Sequence, residues 1–193
     1  MIIKIKENEV NQNIYFLGKN FRHKEFGDDE IYNYEVLKEL NELNTELYVN
    51  NQKYKYNKCF KFPKKGNYHI KLKFNIQIID CSYMFFNCSN IIDIDLSFFD
   101  TQKTNNMNYM FSGISLTNLN LSFLNTKNVK DMSCMFLGCL SLKTLDLSCF
   151  NTENVEDMCC MFEVCHNLTS LDLSSFNTEK VVNMVKCLIV VLM

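Results

Sequence analysis

The amino-acid sequence predicts an α/β solenoid: a stack of copies, each with one strand and one short helix, behind a small β-rich N-terminal cap. Three observations predict it. Thr101, Thr126, Thr152 and Thr178 close successive copies of one pattern, at spacings of 25, 26 and 26 residues. The pairs Met84-Phe85, Met110-Phe111, Met135-Phe136 and Met161-Phe162 keep the same beat. Within a copy, an apolar stripe of helical spacing is followed by a short alternating run. A fixed period of this size marks stacked units, none of which buries its apolar face alone. The expected divisions are a cap over 1–77, the repeat array over 78–186 and an aberrant apolar tail over 187–193.

In the cap, Ile2 to Ile5 and Asn13 to Leu17 read as two strands, and the polar stretch 20–30 around Gly27 as a loop. Leu37, Leu40, Leu43 and Leu47 fall near helical spacing, which predicts a short amphipathic helix from Tyr34 to Asn44. Glu46–Val49 and Lys53–Phe62 flank Asn50-Asn51-Gln52, a tight hairpin turn. Pro63 to Asn67 is a second turn, and Tyr68 to Phe74 (YHIKLKF) alternates as a further strand. The aromatic and β-branched content predicts a small antiparallel sheet.

In the array, Asp80, Asn106, Asp131, Asp157 and Asn183 share one column. A short side-chain oxygen there accepts from the free N–H groups of a first helical turn, so these read as N-caps. Met132, Met135, Phe136 and Cys139 follow at i, i+3, i+4 and i+7, the stripe of a two-turn helix. Met158, Met161, Phe162 and Cys165 repeat it. The copy containing FSGIS (Phe111 to Ser115) lacks one residue and this Cys, hence the 25-residue spacing. The strand is LKTLDLS, Leu142 to Ser148: Leu145 and Leu147 point one way, Thr144, Asp146 and Ser148 the other. Its outward ladders are Asp95, Asn120, Asp146, Asp172 and, beside them, Asp93, Asn118, Thr144, Ser170. Phe99, Leu124, Phe150 and Phe176 form a buried column. Asn125, Asn151 and Asn177 follow, where side-chain amides bond backbone at a corner.

After Asn183-Met184 the pattern calls for two residues and then Met-Phe-x-x-Cys, whereas the chain reads VKCLIVVLM. Two readings stay open, a frameshifted coding end and an apolar tail packed over the last copy. Either leaves the array without a polar cap, so self-association through this end is expected.

The formal net charge of −2 is unevenly spread. Residues 1–77 carry 14 Lys/Arg against 10 Asp/Glu, and residues 78–193 carry 6 against 12, which argues against nucleic acid on the array. The N-terminus is broken by Lys4, Lys6, Glu7 and Glu9 and is no signal peptide. No apolar run reaches the roughly 18 residues of a membrane span. The chain therefore reads as cytoplasmic and its ten Cys as reduced thiols.

No catalytic constellation, cofactor motif or metal site stands out. Cys134, Cys139, Cys160 and Cys165 give two C-x4-C pairs, but two of the four lie on the apolar stripe and two on another face. There is no C-x2-C and no His pair, so zinc is not expected. His166 beside Cys165 points elsewhere. Lys53, Lys55, Lys58 and Lys61 interleave with Tyr54, Tyr56, Phe60 and Phe62, read as strand alternation rather than as a single-strand nucleic-acid platform. The candidate partner-binding residues are Asp93, Asp95, Asn118, Asn120, Asp146 and Asp172 on the ladders, with Phe98 and Phe123 as an apolar patch.

With these residues in place, the array resembles the BspA-type leucine-rich repeat family. In particular it resembles the mollicute and protist module that reads roughly LxxLDLSxFNTxNVxDMSxMFxGC. The match is LKTLDLSCFNTENVEDMCCMF, Leu142 to Phe162, and the resemblance spans about Ile78 to Met184. NIYFLGKNF, ELYVNNQKYKY and YHIKLKFNIQIIDCSYMF resemble the leader of such arrays. The resemblance implies a leucine-rich-repeat-like solenoid used for protein binding, in some members as a surface antigen or adhesin, with no enzyme activity and no known ligand; no cofactor is expected. The leading expectation is a non-enzymatic protein–protein interaction scaffold using the strand face. The alternatives are a surface adhesin, reaching the cell surface by an unrecognised route, or a truncated, degenerate repeat protein.

Overall fold

The structure, a computed structural model, describes residues 1–19, 21–24 and 31–188, except for the side chains of 21–24 and 31–34. Among these residues the protein is nearly all-β. It has no α-helix, and its one helical element is a single 3-10 turn, Glu7–Glu9.

Nine strands occur among the described residues: β1 (Ile2–Ile5), β2 (Asn13–Tyr15), β3 (Phe21–Lys24), β4 (Ile31–Tyr34), β5 (Thr45–Val49), β6 (Gln52–Tyr54), β7 (Cys59–Lys61), β8 (Gly66–Phe74) and β9 (Ile91–Asp93). The main sheet has the order β6-β5-β8-β1-β9; β2 pairs with β7, and β3 with β4, each as a two-stranded ribbon. All named pairings are antiparallel. The hairpin turn expected at Asn50-Asn51 joins β5 to β6, with both residues at positive φ (48° and 66°), the geometry that Asn tolerates in tight hairpins. Alternation sets the faces of β8: Ile70 is buried, while His69, Lys71 and Lys73 are exposed. The basic–aromatic stretch packs inward through a chain of rings, Tyr54 to Phe60 (4.8 Å), Phe60 to Phe62 (5.1 Å) and Phe62 to Tyr68 (4.5 Å).

Two expectations for this region are corrected. The helix over 34–44 is absent: Leu37 sits at φ 51°, which interrupts a right-handed helix, and the segment forms successive turns. Leu37, Leu40 and Leu47 are nonetheless buried, and Leu43 is 91 % exposed. The loop expected over 20–30 carries strand β3 at Phe21–Lys24; Asn20 and 25–30 lie outside the described residues.

The larger correction concerns the array. The expected α/β leucine-rich-repeat solenoid is not formed, because among the described residues no copy contains a helix and no strand other than β9 lies in this part of the chain. The copies are chains of tight turns, joined by isolated parallel bridges from Asp80 to Asn106, Asp131, Asp157 and Asn183 in succession, and from Asn118 to Thr144.

The backbone shows why. The amides of Cys81, Tyr83, Phe85 and Asn87 donate to the carbonyls of Asn106, Asn108, Met110 and Ser112 in the next copy, all at 2.9 Å. The alternate amides of Met84, Phe86 and Cys88 donate three residues back, to Cys81, Tyr83 and Phe85. A helix spends every amide after its first turn within its own segment, so it could not offer alternate amides along its length to the next copy. Left-handed residues enforce the alternation: Tyr83, Tyr109, Cys134 and Cys160 at φ 53–57°, then Asn87, Gly113, Gly138 and Val164 four residues on. The i, i+3, i+4, i+7 stripe is buried all the same, with Met132, Met135, Phe136 and Cys139 at 0 % exposure. Phe85, Phe111, Phe136 and Phe162 stack ring on ring at 5.5, 5.9 and 5.6 Å.

Threonines bolt the copies together. Thr101, Thr126 and Thr152 are buried, and each hydroxyl donates to the carbonyl of Asn125, Asn151 or Asn177 in the next copy (3.0–3.1 Å). Each accepts in turn from the same asparagine's N–H (2.7–2.8 Å). The tail keeps this pattern as far as it is described: Phe162 N–H donates to Cys187 O, and Cys187 is buried. Residues 189–193, the rest of the expected tail, lie outside the described residues.

Candidate functional site

The sheet and the first copy meet along β1, which lies between β8 and β9. The residues on either side of it line one opening. The result is a cleft of about 860 Å³, within the usual range for ligand sites. One bank is β8 and the residues after it, with Lys71 and Lys73 outward. The other runs from Asp93 to Asp100, with Asp93 and Asp95 outward. Ile70, Ile78, Met84, Phe85, Ile94 and Leu96 supply buried apolar side chains to the lining. The Phe74 and Phe99 rings meet edge to face at 5.8 Å across it.

The cleft brings together Asp93, Asp95 and Phe98. Phe98 is 98 % exposed, so its ring stands in water at the rim. The other candidates, Asn118, Asn120, Phe123, Asp146 and Asp172, are exposed along the array and are not part of this cleft. Phe123, one copy further on, is 52 % exposed.

The outward ladder also has internal work. Asp95, Asn120, Asp146 and Asp172 each accept from the N–H two residues on, at Ser97, Ser122, Ser148 and Ser174 (2.9–3.1 Å). These bonds hold the Asp95, Asp146 and Asp172 carboxyls below the ordinary aspartate value. The column read as helix N-caps does the same for turns: Asp80, Asn106, Asp131 and Asp157 accept from Ser82, Asn108, Ser133 and Cys159 at 2.7–3.0 Å. Asn118 accepts from the Thr144 hydroxyl (3.0 Å). Asp93, Phe98 and Phe123 make no such bond, and their side chains face outward.

The cysteines are free thiols. Cys139 and Cys165 lie in the core, where their sulfurs donate to Phe111 O and Phe136 O (3.2 and 3.0 Å). Cys159 and Cys160 bring their sulfurs to 3.4 Å, but burial raises the Cys160 and Cys134 thiols, which lowers their thiolate fraction. Among the described residues no group of three or more His, Cys, Asp or Glu is placed to hold a metal ion. No helix there is long and apolar enough to cross a membrane.

Sequence reasoning missed Lys71, Lys73 and Phe74 as cleft residues. YHIKLKF shows which of its side chains face inward, but nothing local shows which strand lies beside it. The Thr column served only as a marker of period, and its hydroxyl bonds were equally invisible.

No curated protein and no solved structure matches the chain. A family pattern does match, over residues 79–189, more than half of the chain, and it is that of the family described as "Mycoplasma protein of unknown function, DUF285". That family is related to the BspA-like repeats but distinct from them. With its copies of Asx turns, buried threonines and stacked phenylalanines, the chain belongs to this Mycoplasma repeat family of unknown function.

Proposed function

We propose that this protein is a non-enzymatic protein-interaction scaffold, and that its binding surface is centred on the cleft rim at Asp93 and Phe98. The observation that carries the reading is Phe98, an aromatic ring almost wholly in water at the mouth of an apolar cleft. Exposed aromatic side chains beside a concave apolar surface are the usual anchors of protein interfaces. Asp93 and Asp95 add a negative bank that favours a partner with positive charge at the matching position. The array extends the surface through Phe123 and the exposed column Asn120, Asp146 and Asp172.

The test is affinity capture from native lysate with the intact chain and with two variants, Phe98→Ser and Asp93→Lys. Neither residue holds a turn, so both variants are expected to fold as the parent does. Asp95→Lys would be a poorer control, because it removes the acceptor for Ser97 N–H. A partner retained by the parent and lost from both variants supports the reading. Identical partners on all three baits remove the cleft rim as the binding surface.

A further inference from the structure

We propose that the neighbouring thiols of Cys159 and Cys160 are a redox modification site, separate from the cleft: a small soluble disulfide closes them into a disulfide bond, and the closed ring loosens the fastening of this copy to those on either side of it.

The placement of the two sulfurs carries this. They stand 3.4 Å apart, and both residues are partly exposed. Of the copies aligned on the column Asp80, Asn106, Asp131, Asp157, this one has a thiol at both of the next positions but one and two; the others carry Ser82-Tyr83, Asn108-Tyr109 and Ser133-Cys134. The backbone beneath the pair is fixed. Cys159 N–H donates to the Asp157 carboxylate (2.7 Å), and Cys160 sits at φ 55° with its N–H donating to Val185 O (2.9 Å). The other thiols are less suited. Cys139 and Cys165 face each other in neighbouring copies, but at 0 % exposure they are out of reach of a dissolved oxidant. Cys134 is buried and bonded to the Tyr109 hydroxyl. Cys149 is exposed, with its sulfur directed at Leu121 O (3.5 Å) rather than at another sulfur.

The exchange balances. The Cys159 sulfur, its proton lost to water, attacks one sulfur of the small disulfide; that S–S bond breaks, a mixed disulfide forms and one small thiolate leaves. The Cys160 sulfur then loses its proton, attacks the Cys159 sulfur and expels the second thiolate. Two protein thiols are oxidised, one small disulfide is reduced to two thiols, and the two protons end on those thiols. Burial and a hydrogen bond to the Glu163 carboxylate raise the Cys160 thiol, which makes it the second to react. The new bond is about 2 Å long, so the sulfurs approach by about 1.4 Å. Consecutive Cα atoms are about 3.8 Å apart, short of the usual disulfide span of about 4.4–6.8 Å, so the ring is strained and readily reduced. Closing it turns the peptide group between the two residues. The carbonyl of that group accepts from Cys134 N–H (2.7 Å) in the preceding copy, and its N–H donates to Val185 O (2.9 Å) in the following one. One peptide group thus fastens three copies, and turning it weakens both bonds together.

The experiment holds the full, reduced chain with oxidised glutathione and quenches it with acid. Remaining thiols are then alkylated in denaturant, and the tryptic peptide from Thr144 to Lys180 is fragmented in a mass spectrometer. The expected result is a loss of two hydrogens placed on Cys159 and Cys160, with Cys165 alkylated, and full recovery of both thiols with dithiothreitol. Residue-resolved amide hydrogen exchange on the oxidised chain is expected to be about tenfold faster at Cys134 and Cys160 than in the reduced chain, and unchanged at Tyr83 and Phe85 in the first copy. In Cys160→Ser the reaction is expected to stop at a glutathione adduct on Cys159, the trapped first step. Three results overturn the proposal: both thiols alkylated after the oxidant, a bond from either one to Cys134 or to a second chain in place of the ring, or ring formation with exchange unchanged at Cys134 and Cys160. Should Cys160→Ser fail to fold, mapping and exchange on the parent chain decide the matter.

Discussion

The sheet and the repeat array bury similar side chains with different uses of the backbone. In the sheet, residues 70–74 of β8 hand their polar groups alternately to two sides, to β5 on one and to Met1 at Ile70 on the other. In the array, alternate amides go to the next copy and to a turn three residues back. Every copy thus carries its own fastening, whereas the sheet acquires an edge wherever a strand stops. The difference teaches where each region is available for function. The array spends many of its polar groups on itself, including those of Asp95, Asn120, Asp146 and Asp172 in the outward ladder. The cleft and the free aromatic ring occur together where the two regions meet.

Truncation of core side chains tests the part the two regions share. Phe136→Ala removes the middle ring of the stack and is expected to cost about 3–5 kcal/mol; Leu47→Ala in β5 is expected to cost about 2–5 kcal/mol. Urea unfolding followed by circular dichroism checks both. A loss under 1 kcal/mol for Phe136→Ala would show that the ring stack contributes little.

The next variant separates the regions. Thr126→Val keeps the shape of the side chain and removes a hydroxyl that serves both Asn151 N–H and Asn151 O. Leaving these groups without partners is expected to cost about 1–3 kcal/mol. Thr126→Ser, which keeps the hydroxyl, should recover much of the loss, and equal losses for the two would refute the bolting role.

Alkaline pH probes burial at the junction. Burial pushes the Cys81 and Cys88 thiols up to about 12, from an ordinary value of 9.0. Between those values the unfolded chain has lost these protons and the folded chain holds them, so stability is full below pH 9 and falls as pH rises toward 12. At pH 10 the loss is expected to be about 1 kcal/mol per thiol. Denaturant midpoints at pH 7 and pH 10 measure it, and Cys81→Ala with Cys88→Ala should flatten the difference.

Gly138→Ala decides turn against helix by sign. Gly138 has φ +69° and nothing within 4 Å of an added Cβ, so conformation alone sets the effect. In a helix the change would stabilise by about 1 kcal/mol; at a left-handed position it should destabilise by about 1 kcal/mol. A higher melting temperature for the variant would refute the turn geometry. The smallest expected effects on stability, within about 0.5 kcal/mol, are those of Asp93→Lys and Phe98→Ser, and a larger loss in thermal melting would disqualify them as binding controls.

Much of the burial was legible in the sequence, because burial follows apolar period. The stripe Met132, Met135, Phe136, Cys139 is inside as expected, and of the column Phe99, Leu124, Phe150, Phe176 the two middle members are buried and the two end members half-buried. The Asp/Asn column does accept from a backbone N–H two residues on, as its chemistry required. The error lay in taking i, i+3, i+4, i+7 to mean helix, since a chain of four-residue turns places the same positions inward. Tyr109, Cys134 and Cys160 gave no warning, because only Gly and Asn advertise a left-handed φ.

What this sequence determined by itself was the repeat, its length and the residues it hides, all of which depend on local spacing and on transfer of apolar groups from water. Tertiary structure decided the backbone path and the cleft. An amide chooses between its own segment and the next copy only once that copy is alongside. The cleft lies where β8, β1 and β9 come together, a neighbourhood set by strand order rather than by any stretch of sequence.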